Sequence, residues 1–305
     1  MWCGTALAAS ALTTVSGAAD EVYDFESLGT LQFIDGKDNW VDQPGQGQAV
    51  VDVDDTAING TKIVRHFKTV VFDQSAYITR VNDAIFGFEP FTGNETSAVI
   101  QFDCTGDHIA TFALGFDRNG DGMLLAADGE LGPAFGTDDR RFVVQQANLG
   151  SIAGVDFPSG DSKDDWYRIR LHVDFTANGG DGAGSLSYLN LTDGESVYQP
   201  VDGLQDVNLN LTSLHPDAAP SAWNAMWLHL RSGGSNVPRA DHLVPHVAIT
   251  LPADVTGDGT VDVLDLLEVL SAWGVCTGCP QDITGDDIVD VLDLLAVLGS
   301  WGSSG

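Results

Sequence analysis

The chain has 305 residues, with 13 Lys plus Arg against 44 Asp plus Glu and a formal net charge of −31. That balance excludes a nucleic-acid binder and disfavours an anionic membrane surface, because both need clustered Lys and Arg to meet phosphate. The hydrophobic fraction of 43% suffices for a globular core, and no uninterrupted apolar run approaches the roughly 20 residues of a membrane span, so a soluble chain is expected.

Residues 1–19, MWCGTALAASALTTVSGAA, contain no acid and end in small residues, the pattern of a secretory signal cleaved near Ala18 or Ala19, although its start lacks Lys and Arg. A secreted or cell-surface location is therefore expected. Loss of Cys3 with the signal would leave Cys104, Cys276 and Cys279. Cys276-Thr-Gly-Cys279 reads as a small local disulfide, since no second C-x-x-C completes a zinc site and no βαβ context suits a thioredoxin-type role. Cys104 reads as core.

Residues 20–250 form a series of short β-prone runs separated by Gly, Asp and Asn. The runs are 21–26, 48–53, 61–67, 75–81, 97–103, 108–116, 140–146, 166–175, 184–191, 226–230 and 243–250. No stretch there has a helical period of useful length, and many short strands with turn signals between them predict an all-β sandwich or jelly roll. Within this region Asp117, Asn119, Asp121, Met123 and Asp128 fall at calcium-loop positions, but position 9 is Leu125, so a plain Asp-Gly turn competes with a metal loop. Asn94, Asn190 and Asn210 begin N-x-Thr glycosylation acceptors, which matter only in a eukaryotic secretory pathway.

One strand is unusually clear. From Trp166 to Phe175 the residues alternate, which sends Tyr167, Ile169, Leu171, Val173 and Phe175 inward and displays Trp166, Arg168, Arg170 and His172 on the opposite face. The run Met226–Arg231 likewise separates Met226, Leu228 and Leu230 from Trp227, His229 and Arg231. Aromatic rings beside Arg and His suit a glycan face, where rings stack on sugar C–H surfaces and guanidinium groups clasp hydroxyls or uronate carboxylates; an ordinary solvated face is the competing reading. With the opening Tyr23-Asp24-Phe25-Glu26 and the later Asp164-Asp165-Trp166-Tyr167-Arg168, this region resembles a concanavalin A-like lectin/glucanase sandwich. The E-x-D-x-x-E catalytic strand of retaining glucanases in that superfamily is absent, as are G-x-S-x-G and H-E-x-x-H, and no catalytic carboxylate pair can be nominated.

Residues 251–305 hold ten acids and no Lys or Arg, leaving a net −21 on the first 250 residues. At an offset of 28, DVTGDGTVDVLDLLEVLSAWG (254–274) aligns with DITGDDIVDVLDLLAVLGSWG (282–302), with 15 of 21 positions identical. Such duplication predicts two copies that pack on one another. Asp254, Thr256, Asp258, the Thr260 carbonyl, Asp262 and Asp265 occupy loop positions 1, 3, 5, 7, 9 and 12 of an EF-hand, as do Asp282, Thr284, Asp286, the Ile288 carbonyl, Asp290 and Asp293. This spacing wraps six oxygens around a hard cation, which predicts Ca²⁺. Position 6 demands a sharp turn with positive φ, which suits Gly259 better than Asp287, so the second site is expected to be weaker. Apolar residues at spacings of three and four after each loop predict a helix, stopped by Gly274 and Gly302, with no incoming helix before the loop.

These two loop-helix copies, D-x-T-G-D-x-x-x-D-x-x-D followed by Leu-Leu and closing in Trp-Gly, resemble a type I dockerin module over residues 252–302. The resemblance implies calcium-dependent plugging of a secreted polysaccharide-degrading protein into a cohesin-bearing scaffold. Loop positions 10 and 11, often hydroxyl residues in that family, are Val263-Leu264 and Val291-Leu292, which leaves intramolecular or cell-surface docking open beside a cohesin-like partner.

The sequence thus predicts a mainly β chain: a signal over 1–19, a jelly-roll or concanavalin A-like β-sandwich over 20–250, and a small all-α dockerin-like module with two F-hand calcium loops over 251–305. The expected role is carbohydrate binding in polysaccharide catabolism. Two alternatives stay open: a hydrolase or lyase acting on O-glycosyl bonds, with groups drawn from Arg168, Arg170, His172, His229 and nearby acids, and a structural surface protein with no glycan ligand.

Overall fold

The computed structural model describes residues 22–44, 46–53, 62–67, 75–83, 86, 88, 91, 97–106, 108–232, 237–245, 253, 255–256, 261–276, 279–284 and 287–301, with the side chains of His66 and Phe67 excepted. The predicted signal over 1–19, the ligand candidates Asp254, Asp258, Thr260 and Asp286, and Gly259, Gly302 and Asn94 lie outside the described residues. The chain divides into two compact units, one spanning Asp20–Val247 and the other containing residues 248–305.

In the first unit the strands, in chain order, are β1 (Gln32–Phe33), β2 (Trp40–Asp42), β3 (Gln48–Val53), β4 (Lys62–Phe67), β5 (Ser75–Val81), β6 (Ser97–Thr105), β7 (Ile109–Gly115) and β8 (Ala134–Asp138). They continue as β9 (Arg141–Gln145), β10 (Ile152–Asp156), β11 (Trp166–Asp174), β12 (Ala183–Asn190), β13 (Gln199–Pro200), β14 (Val207–Asn208), β15 (Ala225–Arg231) and β16 (Arg239–Val244). A nine-stranded sheet runs β1-β3-β4-β16-β6-β11-β12-β13, with β14 also on β12, and a seven-stranded sheet runs β10-β9-β8-β7-β15-β5-β2. Neighbours in both sheets pair antiparallel.

The two sheets share one core. Alternation along β11 buries Tyr167, Ile169, Leu171 and Val173 completely, and Phe175 packs at the edge. Phe102 of the larger sheet meets Phe112 and Phe135 of the smaller at ring centroid distances of 5.6 and 5.4 Å. Each such ring removed from water contributes about 2–3 kcal/mol. Gly136 makes room for this packing: at φ 148°, a Cβ there would stand 2.1 Å from the Ala110 carbonyl and 2.8 Å from the Phe102 ring. Cys104 is also in this core, and burial pushes its thiol pKa up.

Two predicted strands differ. Residues 21–26 contribute only a bridge from Tyr23 to Leu243, because Phe25 takes a positive φ of 58° that breaks extension. The strand expected over 243–250 begins earlier, as Arg239–Val244, with residues 246–250 outside the described residues, and it pairs with β6 through a bulge between Asp241 and Val244. Strands β1, β2, β8, β10, β13 and β14 escaped the sequence reading: β1, β2, β13 and β14 are two or three residues long, and β8 and β10 carry internal glycines.

The second unit contains α1 (Val263–Ser271), β17 (Gly274–Val275), β18 (Ile288–Val289) and α2 (Val291–Gly299). Each helix opens on the same capping box: Asp262 accepts from the Leu264 N–H (2.7 Å) while Asp265 accepts from the Asp262 N–H (2.8 Å), and Asp290 with Asp293 repeats both distances. Gly274, expected to stop the first helix, does not do so. The helix ends at Ser271, and Gly274, at φ 121°, pairs with Val289 in the two-stranded ladder.

Candidate functional site

The outward face of the nine-stranded sheet carries polar groups at its centre. Beside β6, the register sets Arg168 and Asp241 on either side of Asp103, and Arg170 beside Gln101. Arg168 grips Asp103 through two parallel bonds, Nε to Oδ1 at 2.8 Å and Nη2 to Oδ2 at 3.0 Å. Gln101, Asp103 and Asp241 are nearly fully buried. Burial pushes the Asp241 carboxyl up to about 8; the His242 N–H opposes this shift, while the charges of Asp103, Asp24 and Glu26 reinforce it. Asp241, its carboxyl biased toward the protonated form, therefore sits next to an Asp103 held by a guanidinium.

One step along the strand, Arg170 donates from Nε to Gln101 Oε1 (2.7 Å), and its guanidinium carbon lies 4.0 Å from the Tyr198 ring centroid. The Tyr198 hydroxyl donates to the same Gln101 oxygen at 2.8 Å. His172, next on this face, is exposed. Trp166, expected to stack on sugar from this face, is only 2% exposed. The turn after β12 covers that end of the strand: Leu191 N–H bonds the Trp166 carbonyl and the Trp166 N–H bonds Thr192 Oγ1.

The second predicted set does not join the first. Trp227, His229 and Arg231 lie on β15 in the seven-stranded sheet, so the two rows belong to different sheets and form no common groove. Trp227 is 2% exposed because the excursion between β7 and β8 lays Leu124 and Leu131 over it. It stacks on Tyr77 (5.6 Å), which stacks on His229 (4.4 Å), and His229 Nε2 lies 2.9 Å from Ser75 Oγ. Beside them an apolar pocket of about 360 Å³ is lined by Gln43, Gln46, Tyr77, Leu124, Leu131 and Trp227.

The acidic loop after β7 closes on itself. Asp117 accepts from the N–H groups of Gly120, Asp121 and Gly122, Asn119 from Asp121, and Asp121 from Met123. Asp128 lies in a 3₁₀ turn, and the acid that reaches back into the loop is Glu130, bonded to the N–H groups of Arg118 and Leu125. Glu130 was missed because it falls two residues beyond a 12-residue loop. Burial pushes its carboxyl up; those two N–H bonds oppose the shift, and Asp128 and Asp117 reinforce it.

In the second unit the described halves of the repeats match bond for bond. Asp265 Oδ1 accepts from Thr256 N and Oγ1 at 3.0 and 2.9 Å, and Asp293 Oδ1 from Thr284 N and Oγ1 at 2.9 and 3.1 Å. Both carboxylates are fully buried. Among the described residues no three His, Cys, Asp or Glu side chains converge as a metal site. Cys276 and Cys279 are disulfide-bonded, and this short loop braces the second acidic loop at two points: Cys276 N–H bonds the Asp287 carbonyl (3.0 Å) and the Cys279 carbonyl accepts from Asp282 N–H (3.2 Å). Asp287 holds φ 66°, where Asp is strained. Reduction should therefore loosen the second loop selectively. Amide exchange at Cys276 and Asp282 should accelerate roughly fivefold, as expected for weakening hydrogen bonds of about 1 kcal/mol each, while Thr256 is unchanged. Equal acceleration in both repeats would contradict the brace.

No protein-family model matches the sequence, and no curated protein matches it. Among solved structures, the metal-free form of lectin I-B4 from Griffonia simplicifolia is similar at a TM-score of 0.41 and 11% identity, over 72% of this chain and 94% of that one. The endo-1,3-β-glucanase of Streptomyces sioyaensis gives 0.39 and 9%, over 77% and 98%. A family 11 carbohydrate-binding module from Clostridium thermocellum, in complex with a mixed-linked tetrasaccharide, gives 0.31 and 14%, over 76% and 99%. Likenesses at this level assign neither a family nor a ligand to the chain.

Proposed function

We propose that the protein binds polysaccharide on the outward face of its nine-stranded sheet and is attached to a partner through its C-terminal module. The observation that carries this reading is the fixed polar row of Gln101, Asp103, Arg168 and Arg170 with Tyr198, since a sugar needs donors and acceptors held in place beside a ring. Trp166 and Trp227, being buried, are not part of the proposed contact surface. Retention of the calcium-loaded full chain on a panel of immobilised polysaccharides tests it: Tyr198→Ala should abolish retention, and a folded chain retained by no polysaccharide sinks the reading. Hydrolysis or elimination of O-glycosyl bonds is a second reading, favoured by the pairing of Asp241, its carboxyl pushed up by burial, with Asp103 across the β16–β6 register. It requires release of reducing or unsaturated ends that Asp241→Asn abolishes.

The attachment module, in this reading, is a dockerin-like pair of calcium loops. Asp254, Thr256, Asp258, the Thr260 carbonyl, Asp262 and Asp265 would hold one Ca²⁺, and Asp282, Thr284, Asp286, the Ile288 carbonyl, Asp290 and Asp293 the other. These are all oxygen donors, the set a hard cation takes, and residues 251–305 contain no Lys or Arg to neutralise them. The ion would supply charge neutralisation and a fold staple. Support for docking comes from the helices, where Val263, Leu264, Leu267 and Leu270 of α1 and Val291, Leu292, Leu295 and Leu298 of α2 are about half exposed in matched positions. The partner would be cohesin-like or a cell-surface protein. The disulfide fits an oxidising, extracellular setting.

A further inference from the structure

Four arginines, Arg65, Arg168, Arg170 and Arg239, lie on strands of the nine-stranded sheet, and they are differently occupied. Arg65 is paired with Asp52 at 2.6 Å. Arg168 spends its side-on edge, Nε and Nη2, on Asp103. Arg170 differs: among the described residues Gln101 is its hydrogen-bond partner, and no carboxylate stands within ion-pair distance.

The way Arg170 is held decides what it can do. Its Nε is tied to Gln101, so the side-on edge is taken. Its plane lies against the Tyr198 ring, and Tyr198 itself is tied to the same Gln101 oxygen, so ring and guanidinium share one anchor. Gln101 is 2% exposed and cannot swing away. What remains is the end-on fork, Nη1 and Nη2, on a half-buried side chain whose rotamer is already fixed. A planar fork of two parallel N–H donors matches the two oxygens of a carboxylate, and holding it in advance avoids the ordering cost of binding.

We propose that the Arg170 fork, set on Tyr198 and Gln101, is a subsite for the carboxylate of a uronate sugar, so that the glycan bound on this face is an acidic one. This rests on the glycan-binding reading above and narrows its ligand class. The overall charge of −31 opposes an acidic ligand at long range, but at 0.15 M salt charges beyond about 8 Å are screened, and the contact is decided by the local fork. Exposed His172, two residues along the strand and about 7 Å away, stands where a neighbouring hydroxyl of the chain would reach it.

The test is calorimetric titration of the calcium-loaded full chain at 0.15 M salt with short oligomers of galacturonate, glucuronate and mannuronate, each beside its carboxyl-reduced counterpart, and with a sulfated galactan oligomer. At least one oligouronate should bind, and its reduced counterpart should bind about ten- to a hundredfold more weakly. Arg170→Ala should lose the same factor, Arg170→Lys should recover part of it, and Arg141→Ala, in the other sheet, should change nothing. Thermal melts of Arg170→Ala establish that it folds. Equal binding of reduced and oxidised oligomers, preference for the sulfated oligomer, or an unaffected Arg170→Ala each overturns the uronate subsite while leaving glycan binding standing. Binding of none of these oligomers or of any polysaccharide on the panel overturns both.

Discussion

Chelation of the full chain with EDTA should abolish the helical circular dichroism near 222 nm contributed by α1 and α2, while the strand signal of the first unit persists. The second unit has a small core: Ala253, Val261, Val269, Val289 and Val297 are its buried apolar side chains among the described residues. Burial of a Val contributes at most about 1.5–2 kcal/mol, and a unit of this size is marginal without a staple. Against that core stand ten acids and no base, two of them, Asp265 and Asp293, wholly buried. Bound Ca²⁺ would turn this repulsion into folding free energy. Asp265→Ala and Asp293→Ala should each be severe, because each removes a proposed ligand and half of a capping box, the latter alone costing about 1 kcal/mol. Asp287→Gly should strengthen the second loop by about 1 kcal/mol by relieving its positive φ. An unchanged helical signal in EDTA would refute the calcium reading of this unit.

Arg168→Ala should destabilise the first unit by about 3 kcal/mol, a fall of roughly 6–12 °C in its melting midpoint. The reason lies in Asp103, whose side chain is 2% exposed and whose two oxygens are both held by Arg168, itself 22% exposed. Truncation removes the two-bond guanidinium partner of a buried carboxylate beside Asp241. A further Asp103→Asn substitution in the same chain should restore much of the loss, because the charge is then gone. Arg170→Ala, by contrast, removes a contact to a neutral Gln and a ring and should cost little stability. A midpoint shift below about 2 °C for Arg168→Ala would show that the pair is solvated in solution.

How much of this was legible in the sequence depends on how local the signal is. The strand from Trp166 to Asp174 was readable because period-two alternation is written into consecutive residues, and the core face it implied is the one that is buried. The duplicated loop-helix units were readable because the acidic loop spacing and the helical apolar spacing after it are written into about twenty consecutive residues, twice. The end of α1 was misread, since a Gly at the right spacing also suits a short strand, and only the Gly274–Val289 pairing selects that use. Tyr198 was missed for a related reason: it lies just outside a two-residue strand, and nothing nearby in sequence shows that it meets Arg170 and Gln101.

By itself, then, the sequence determined the mainly β character of the first unit, the inward face of its clearest strand, and the repeated acidic loops with their helices, all from patterns a few residues long. The tertiary structure alone decided which of the displayed residues can meet a ligand. Alternation places Trp166 and Trp227 on outward faces, but whether an outward face is open depends on chain segments remote from the strand. A turn 26 residues on is hydrogen-bonded to the backbone of one buried tryptophan, and a loop about 100 residues earlier is folded over the other. The same long-range placement leaves Arg170 against Tyr198 with its end-on fork turned to no acid among the described residues, because strand order, which no local pattern encodes, brings β6, β11 and the segment before β13 together.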